Sequence, residues 1–112
     1  MKRTYLGEFE ELVLLTVALL DATAYGVSIT HEIVEQTGRS VRLNQVHAAL
    51  HRLEEKGMVS SEMGEATAER GGRRKRLFVV TAYGRQTLQD IHSVRTHLWN
   101  LLPDSFKPAT SI

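Results

Sequence analysis

The sequence contains no cysteine among its 112 residues. A disulfide-stapled scaffold and a cysteine-based zinc finger are therefore excluded, and no thiol is available as a nucleophile. Proline is almost as scarce, with only Pro103 and Pro108 close to the end of the sequence. We expect residues 103–112 to form a flexible tail, because Pro, Ser and Thr cluster there without a periodic apolar pattern.

No apolar segment is long enough to cross a bilayer. The run Leu12–Leu20 is the most apolar stretch. As a helix it would span only about 13 Å, whereas the hydrocarbon core of a membrane is about 30 Å thick. Acidic residues precede this run, which a secretory signal would not allow. These features predict a cytoplasmic protein without a membrane anchor.

The charges are nearly balanced in number but unevenly distributed. The formal net charge is +1, from 14 basic and 13 acidic residues. Five of the basic residues lie within residues 70–76, which read RGGRRKR and contain no acid. A mildly acidic body with one concentrated basic segment is typical of a protein that binds a polyanion locally.

The spacing of apolar residues predicts three helices in the first half of the chain, at residues 5–20, 27–37 and 43–56. On the second helix Ile29, Ile33 and Val34 are expected to face inward, and Gly38 suits its C-terminal cap. The second half of the first helix has no polar face. A domain of this size cannot cover such a helix alone, so a second subunit is the expected cover.

After residue 57 the pattern changes from helical to extended. Two short strands are expected, at residues 58–63 and 77–81, on either side of a basic loop. Thr81 suits the N-cap of a last helix over residues 82–102. This order predicts a mainly α (α+β) fold, with a winged helix-turn-helix and its β-hairpin wing in residues 1–81 and a C-terminal dimerisation helix in residues 82–102.

Four stretches of the chain carry a resemblance to a known family: YLGEFEELVLL, AYGVSITHEI, TGRSVRLNQVHAALHRLEEKGMV and GEATAERGGRRKRLFVVTAYGRQTL. They resemble the PadR family of bacterial winged-helix transcription regulators, in its branch with a short C-terminus. The resemblance implies a homodimeric DNA-binding repressor that a small aromatic effector often relieves. The chain departs from the family pattern at Arg42, Asn44, His47 and Phe78, and these departures concern the operator sequence rather than the class.

The third helix is the expected DNA-reading element. Asn, Gln and Arg side chains can bond base edges, and Ala can contact a thymine methyl group. His47 would donate to a phosphate group or simply pack beside the wing. A solvated helix surface without a ligand is the alternative, and the basic wing favours DNA. The predicted recognition residues, of which Gln45 and Arg52 read bases, are Asn44, Gln45, His47, Ala48, His51 and Arg52.

The basic loop is the expected wing. Its cations would lie on phosphate groups or in the minor groove, and its glycines would let the backbone approach DNA closely. A solubilising loop is the alternative interpretation. The predicted wing residues are Arg70, Gly71, Gly72, Arg73, Arg74, Lys75 and Arg76.

The last helix carries an apolar seam at spacings of 3, 4, 3 and 4 residues, which predicts a helix–helix interface. Trp99 is the only tryptophan. It is interpreted either as an anchor of the dimer interface or as a stacking wall for a flat aromatic effector. The predicted dimer residues are Leu12, Leu15, Leu88, Ile91, Arg95, Leu98, Trp99 and Leu102.

The expected function is that of a transcriptional repressor, a homodimer that binds a pseudo-palindromic operator in double-stranded DNA. No catalytic motif is present. His47 and His51 have a metal-binding spacing but lack a third ligand, so no metal or other cofactor is expected. One alternative is a winged-helix protein-interaction module whose basic wing holds an acidic partner. Another is a ligand-binding protein without a DNA function.

Overall fold

The structure is a computed structural model, and it describes residues 5–64 and 74–107. In this part of the chain a short 3-10 helix, Asp21–Thr23, connects the first two helices. The order of elements confirms the predicted winged-helix fold with a C-terminal helix. The elements are α1 (Glu8–Leu20), α2 (Gly26–Thr37), α3 (Leu43–Glu55), β1 (Val59–Met63), β2 (Arg76–Val80) and α4 (Ala82–Leu101).

The core lies between α1, α2, α3 and the base of the hairpin. Ile29 and Ile33 of α2 are fully buried, as expected, but Val34 is 42% exposed and its predicted inward orientation is wrong. Residues four apart share one helix face, whereas the residue five positions after Ile29 is turned away from it. The buried apolar residues are Val13, Leu14, Val17, Ala24, Ile29, Ile33, Val46, Ala49, Leu50, Leu53, Met58, Val59 and Phe78.

Two predicted helix caps are confirmed. Gly38 ends α2 in the left-handed conformation, with φ of 70°, and its amide donates to the carbonyl of Val34. Thr81 precedes α4, and its hydroxyl accepts a hydrogen bond from the amide of Gly84 at 3.0 Å. Glycine tolerates a positive φ, and a threonine hydroxyl satisfies an otherwise unpaired helix amide, so both residue types suit their positions.

The hairpin is fixed to the helical body at its base. β1 and β2 are antiparallel, in a register that runs from Val59 opposite Val80 to Met63 opposite Arg76. The amide of Phe78 donates to the carbonyl of Ala24 at 2.8 Å, which joins β2 to the segment between α1 and α2. The base of the hairpin therefore has a defined orientation relative to α2.

The start of α4 packs against the turn that follows α3. The Thr81 amide donates to the Met58 carbonyl at 3.0 Å, and the Thr81 hydroxyl donates to the Gly57 carbonyl at 2.7 Å. Gly84 is buried one turn further along α4. A Cβ atom there would overlap the carbonyl oxygen of Met58 and lie 2.9 Å from a Val80 methyl carbon. Only glycine allows α4 to approach this turn so closely.

The described residues contain no single helix with both the length and the hydropathy to cross a membrane. Glu8–Thr23 and Gly26–Thr37 reach that length and composition only when taken together, across a bend of 120°.

We expect Gly84→Ala to lower the free energy of unfolding by about 1–3 kcal/mol, because the added methyl group has to displace backbone. Urea denaturation followed by circular dichroism measures this change. Gly7→Ala is the control, since nothing lies within 4 Å of the added methyl group there. The control should cost less than about 1 kcal/mol, the difference between glycine and alanine at an N-cap. Equal effects of the two substitutions would contradict the close-packing explanation.

Candidate nucleic-acid interface

Three of the predicted recognition residues form the outer face of α3. Asn44, Ala48 and His51 are exposed and are spaced four and three residues apart, so they lie on the side opposite the buried stripe. His51 has a carboxylate neighbour, with its Nε2 atom 3.7 Å from Glu55 Oε2. This outer face, consisting of Asn44, Ala48 and His51, is directed away from the protein.

Gln45 and Arg52 are both engaged within the protein. The side-chain oxygen of Gln45 accepts a hydrogen bond from the Arg42 amide at 2.9 Å, which caps the first turn of α3. Nε of Arg52 donates to Glu10 Oε2 at 2.7 Å, although the side chain is 48% exposed. Of the two residues predicted to read bases, Arg52 is thus directed toward α1, and Gln45, seven residues earlier, lies on the same side of α3 beside the outer face.

His47 covers the first turn of α2. A Cβ atom added to Gly26 would lie 2.7 Å from His47 Cε1 and 3.2 Å from a Leu43 methyl carbon. Glycine at position 26 thus lets the imidazole ring of α3 lie directly against the N-terminus of α2. The structure places this predicted recognition residue at the border between α2 and α3.

The residue before α2 carries a cation from the wing. Lys75 Nζ lies 4.3 Å from the ring centroid of Tyr25, the residue that precedes α2. A cation over an aromatic face is attracted by the negative potential of the ring. Lys75 of the wing and His47 of α3 therefore contact the adjacent residues Tyr25 and Gly26 at the start of α2, which brings the two predicted DNA-contacting elements to the same end of that helix.

The other cations at the base of the wing make contacts within the protein. Arg74 Nε donates to the Gly64 carbonyl at 2.9 Å, and Arg76 Nη1 donates to the Ser61 hydroxyl at 3.0 Å. That hydroxyl donates in turn to Glu54 Oε2 of α3 at 2.7 Å. Arg76 therefore helps to hold the hairpin against α3. The predicted wing residues Arg70, Gly71, Gly72 and Arg73 lie outside the described residues.

A buried carboxylate connects α1 to α3. Glu10 is 7% exposed and accepts hydrogen bonds from Arg52 Nε at 2.7 Å, Lys56 Nζ at 2.6 Å and the Gly7 amide at 3.2 Å. Burial raises the pKa of the Glu10 carboxyl, but the hydrogen bonds from Lys56, Arg52 and Gly7 outweigh it, and the net pKa lies below the usual value of 4.5. The carboxylate is therefore the stable form at neutral pH. We call Glu10, Arg52 and Lys56 the Glu10 cluster.

The predicted dimer residues divide into two groups. Leu12, Leu88, Ile91 and Leu102 are partly buried within the chain. Arg95 Nη2 donates to Glu11 Oε1 at 3.0 Å and so connects α4 to α1. The exposed group, which includes Trp99 at 49% exposure, is Leu15, Leu98 and Trp99. Residues 103–107 of the predicted tail turn back on the helix, with the Phe106 ring edge-on to Trp99 at a centroid distance of 6.5 Å.

The sequence analysis did not identify Glu10 or Tyr25. Glu10 lies three and four residues before Val13 and Leu14, on the stripe of α1 that enters the core. A carboxylate on such a stripe requires cationic partners, which was an available signal. The position of Tyr25 under Lys75 had no signal in the sequence, because the two residues are 50 positions apart and their pairing depends on how the hairpin folds back.

In residues 5–64 and 74–107, no group of three or more His, Asp or Glu side chains is arranged to hold a metal ion.

We expect Glu10 to make its full contribution to the free energy of unfolding at pH values above the usual pKa of a glutamate carboxyl group. It should be lost as the pH falls through the lowered pKa of the folded state. At neutral pH, Glu10→Gln should lower the free energy of unfolding by about 1–3 kcal/mol, because charged hydrogen bonds are removed. Below pH 4.5 the wild-type and Glu10→Gln curves should converge in urea denaturation.

Glu8→Gln, which removes an exposed ion pair with Arg39, is the control and should change little. A constant difference between wild type and Glu10→Gln at all pH values would contradict this assignment.

Comparisons with known proteins identify a family from the sequence and a shared fold from the structure. The sequence model of the Transcriptional regulator PadR-like family matches residues 14–90. Among solved structures, a PadR-like transcription factor from Bacteroides fragilis has a TM-score of 0.69 at 20% identity, over 82% of this chain and 84% of that one. A PadR family regulator from Clostridium difficile has a TM-score of 0.65 at 22% identity, over 81% and 92% of the two chains.

A third similar structure is that of Bacillus subtilis PadR in complex with operator DNA. Its TM-score is 0.61 at 18% identity, over 94% of this chain and 53% of that chain. A comparison with curated proteins finds no match. The likenesses to solved structures establish the shared fold. Because the family match extends from α1 to α4 and covers more than half of the sequence, the protein belongs to the PadR-like family of transcriptional regulators.

Proposed function

We propose that the protein binds an operator in double-stranded DNA as a homodimer and represses transcription. The observation that carries this proposal is the common surface of α3 and the wing, which is formed where His47 and Lys75 meet the first turn of α2. A helix of this kind fits the major groove, while the wing reaches the flanking phosphate groups. Membership of a family of transcriptional regulators supports the same function.

The outer face of α3 is the proposed reading surface. Asn44 can form paired hydrogen bonds with adenine, and Ala48 can contact a thymine methyl group. His51 can donate to a base or a phosphate group. Gln45 and Arg52 lie beside this face and are occupied within the protein, so we assign base contact to Asn44, Ala48 and His51 first.

The wing supplies the proposed backbone contacts. The basic run of residues 70–76 contains five cations and no acid, so it would attract phosphate groups whatever the base sequence. Among the described wing residues, Lys75 lies over Tyr25, which directly precedes α2. The Bacillus subtilis protein, whose fold this chain shares, is seen with operator DNA, and this supports the proposed binding mode.

We expect Lys75→Gln to weaken binding to all duplexes alike and to reduce the salt dependence of binding. The slope of log K against log [salt] should fall by about one unit for one lost phosphate contact. Fluorescence anisotropy with labelled duplexes at several salt concentrations measures both quantities. Arg85→Gln, on α4, removes the same charge from an exposed site and is the matched control. It should leave the slope unchanged.

Two results would contradict the proposal. One is an unchanged slope in Lys75→Gln, which would remove the wing from the DNA contact. The other is wild-type protein that binds no duplex above the level of non-specific binding, which would favour an acidic protein partner for the wing.

The homodimer is proposed because α1 and α4 expose large apolar side chains. A single protomer leaves Leu15, Leu19, Leu98, Trp99 and Leu101 substantially exposed. Apolar patches of this kind are typical of protein interfaces. α4 has 20 residues and reaches about 30 Å, so its far end extends beyond its own core. A dimer would also present two α3 helices to half-sites about 34 Å apart, which matches a pseudo-palindromic operator.

We expect Leu98→Asp to convert the dimer into monomer, because a carboxylate in a desolvated interface is costly. Sedimentation velocity measures the change, and the emission of Trp99 should shift to longer wavelength as its surroundings become wetter. Val27→Asp on α2 is the matched control, since the two side chains are 54% and 57% exposed in the single chain. It should leave the dimer intact. A wild-type protein that sediments as a stable monomer at micromolar concentration would refute the homodimer.

A small aromatic effector is the remaining part of the proposal, and its expected contact is Trp99. The indole ring lies beside Phe106 and is half exposed, so a flat ligand could stack on it between two protomers. Quenching of Trp99 emission by such compounds, with an equal loss of affinity for DNA, would support this role. Without quenching, Trp99 would be an interface anchor alone.

A further inference from the structure

The Glu10 cluster connects the proposed recognition helix to the most buried helix of the domain. Arg52 of α3 and Lys56, the C-cap residue of α3, are four residues apart and bind different oxygens of the same carboxylate, Oε2 at 2.7 Å and Oε1 at 2.6 Å. Lys56 Nζ also donates to the Tyr5 carbonyl at 3.2 Å, ahead of α1. Two points on one side of α3 are thus attached to a single buried group on α1.

Such an attachment constrains the rotation of α3 about its own axis. Close packing of the buried stripe of α3 already restricts its movement, but apolar contacts are not directional and do not by themselves define one rotation of the helix. Hydrogen bonds to a carboxylate are directional and weaken steeply when their geometry changes. Arg52 and Lys56 lie at the side of the outer face, and a rotation of α3 would redirect Asn44, Ala48 and His51 together.

Stability alone does not require a charge at position 10. Replacing a buried ion pair by apolar residues of similar volume is often neutral or stabilising, because the charges then need no desolvation. A buried carboxylate with a partner at each oxygen can instead fix the geometry of its neighbours, as buried polar groups do in some proteins. In this protein the neighbour is the helix whose orientation decides which bases are reached.

We propose that Glu10 is a positioning residue for DNA recognition and that Arg52 affects sequence selectivity through Glu10 rather than by touching a base. This inference rests on the proposed DNA-binding function. Glu10 is buried and contacts no DNA, so its removal should reduce the preference for one sequence without removing a phosphate contact.

The test uses a duplex selected by the full-length wild-type protein from a randomised library, and a scrambled duplex of the same composition. The affinity ratio of the two duplexes is measured for wild type, Glu10→Gln, Arg52→Gln and the double variant. We expect each single variant to lower the ratio by about 2- to 30-fold. The double variant should lower it no further, because both residues act through one contact. The salt slope should stay at the wild-type value in all variants.

Three results would overturn the inference. The first is an unchanged ratio in Glu10→Gln. The second is a double variant whose loss is the product of the two single losses, since Arg52 would then contact DNA independently. The third is a reduced salt slope in Arg52→Gln. A wild-type protein that selects no sequence would instead refute the proposed function, so the two failures are distinguishable.

A folding defect in Glu10→Gln is detected by circular dichroism, and Lys56→Gln then takes its place. Lys56 is attached to the other oxygen of Glu10 and is also on α3. If Lys56→Gln lowers the ratio as Arg52→Gln does, with an unchanged salt slope, the positioning role is supported. If Arg52→Gln alone lowers the ratio, Arg52 reads DNA directly and the inference is wrong.

Discussion

The arrangement of the helices depends on one buried carboxylate. Glu10 lies on the same stripe of α1 as Val13 and Leu14, which carries its carboxylate into a buried position. An ionised carboxylate is very costly to bury without partners. Arg52 and Lys56 satisfy that requirement, and both lie on α3. The helix proposed to read DNA is consequently held in one orientation against the first helix of the domain.

α1 is attached to two neighbouring helices through two consecutive acidic residues. Glu10 binds cations of α3, whereas Glu11 accepts a hydrogen bond from Arg95 of α4. The first contact is partly buried, with the Glu10 carboxylate itself buried, and the second is exposed. Exposed ion pairs contribute little, whereas a pair with a buried member is more costly to break. The proposed DNA-reading and dimer-forming surfaces are therefore attached to different sides of the same helix, more firmly on the side of α3.

The order of elements could be predicted because its signals are local. Gly38 and Thr81 mark helix ends by their own backbone and hydroxyl chemistry, and the change of apolar period after residue 57 marks the hairpin. The roles of individual side chains could not be predicted in the same way. Arg52 has its partner 42 positions away in the sequence, and periodicity places a residue on a face without indicating what it binds there. Gln45 is predicted to read bases for the same reason, and its additional role as a cap of its own helix had no such signal.

The close contact at Gly84 fixes α4 at its first turn and leaves its far end unsupported by the rest of the domain. Thr81 and Gly84 hold its first turn against Gly57 and Met58, directly after α3, while its far end projects from the body. The helix is about 30 Å long. A displacement of its far end near Trp99 by about 5 Å, roughly the pitch of one helical turn, corresponds to a rotation of only about 10° about its first turn. A large movement at the proposed dimer interface would thus correspond to only a small rotation next to the surface proposed to face DNA.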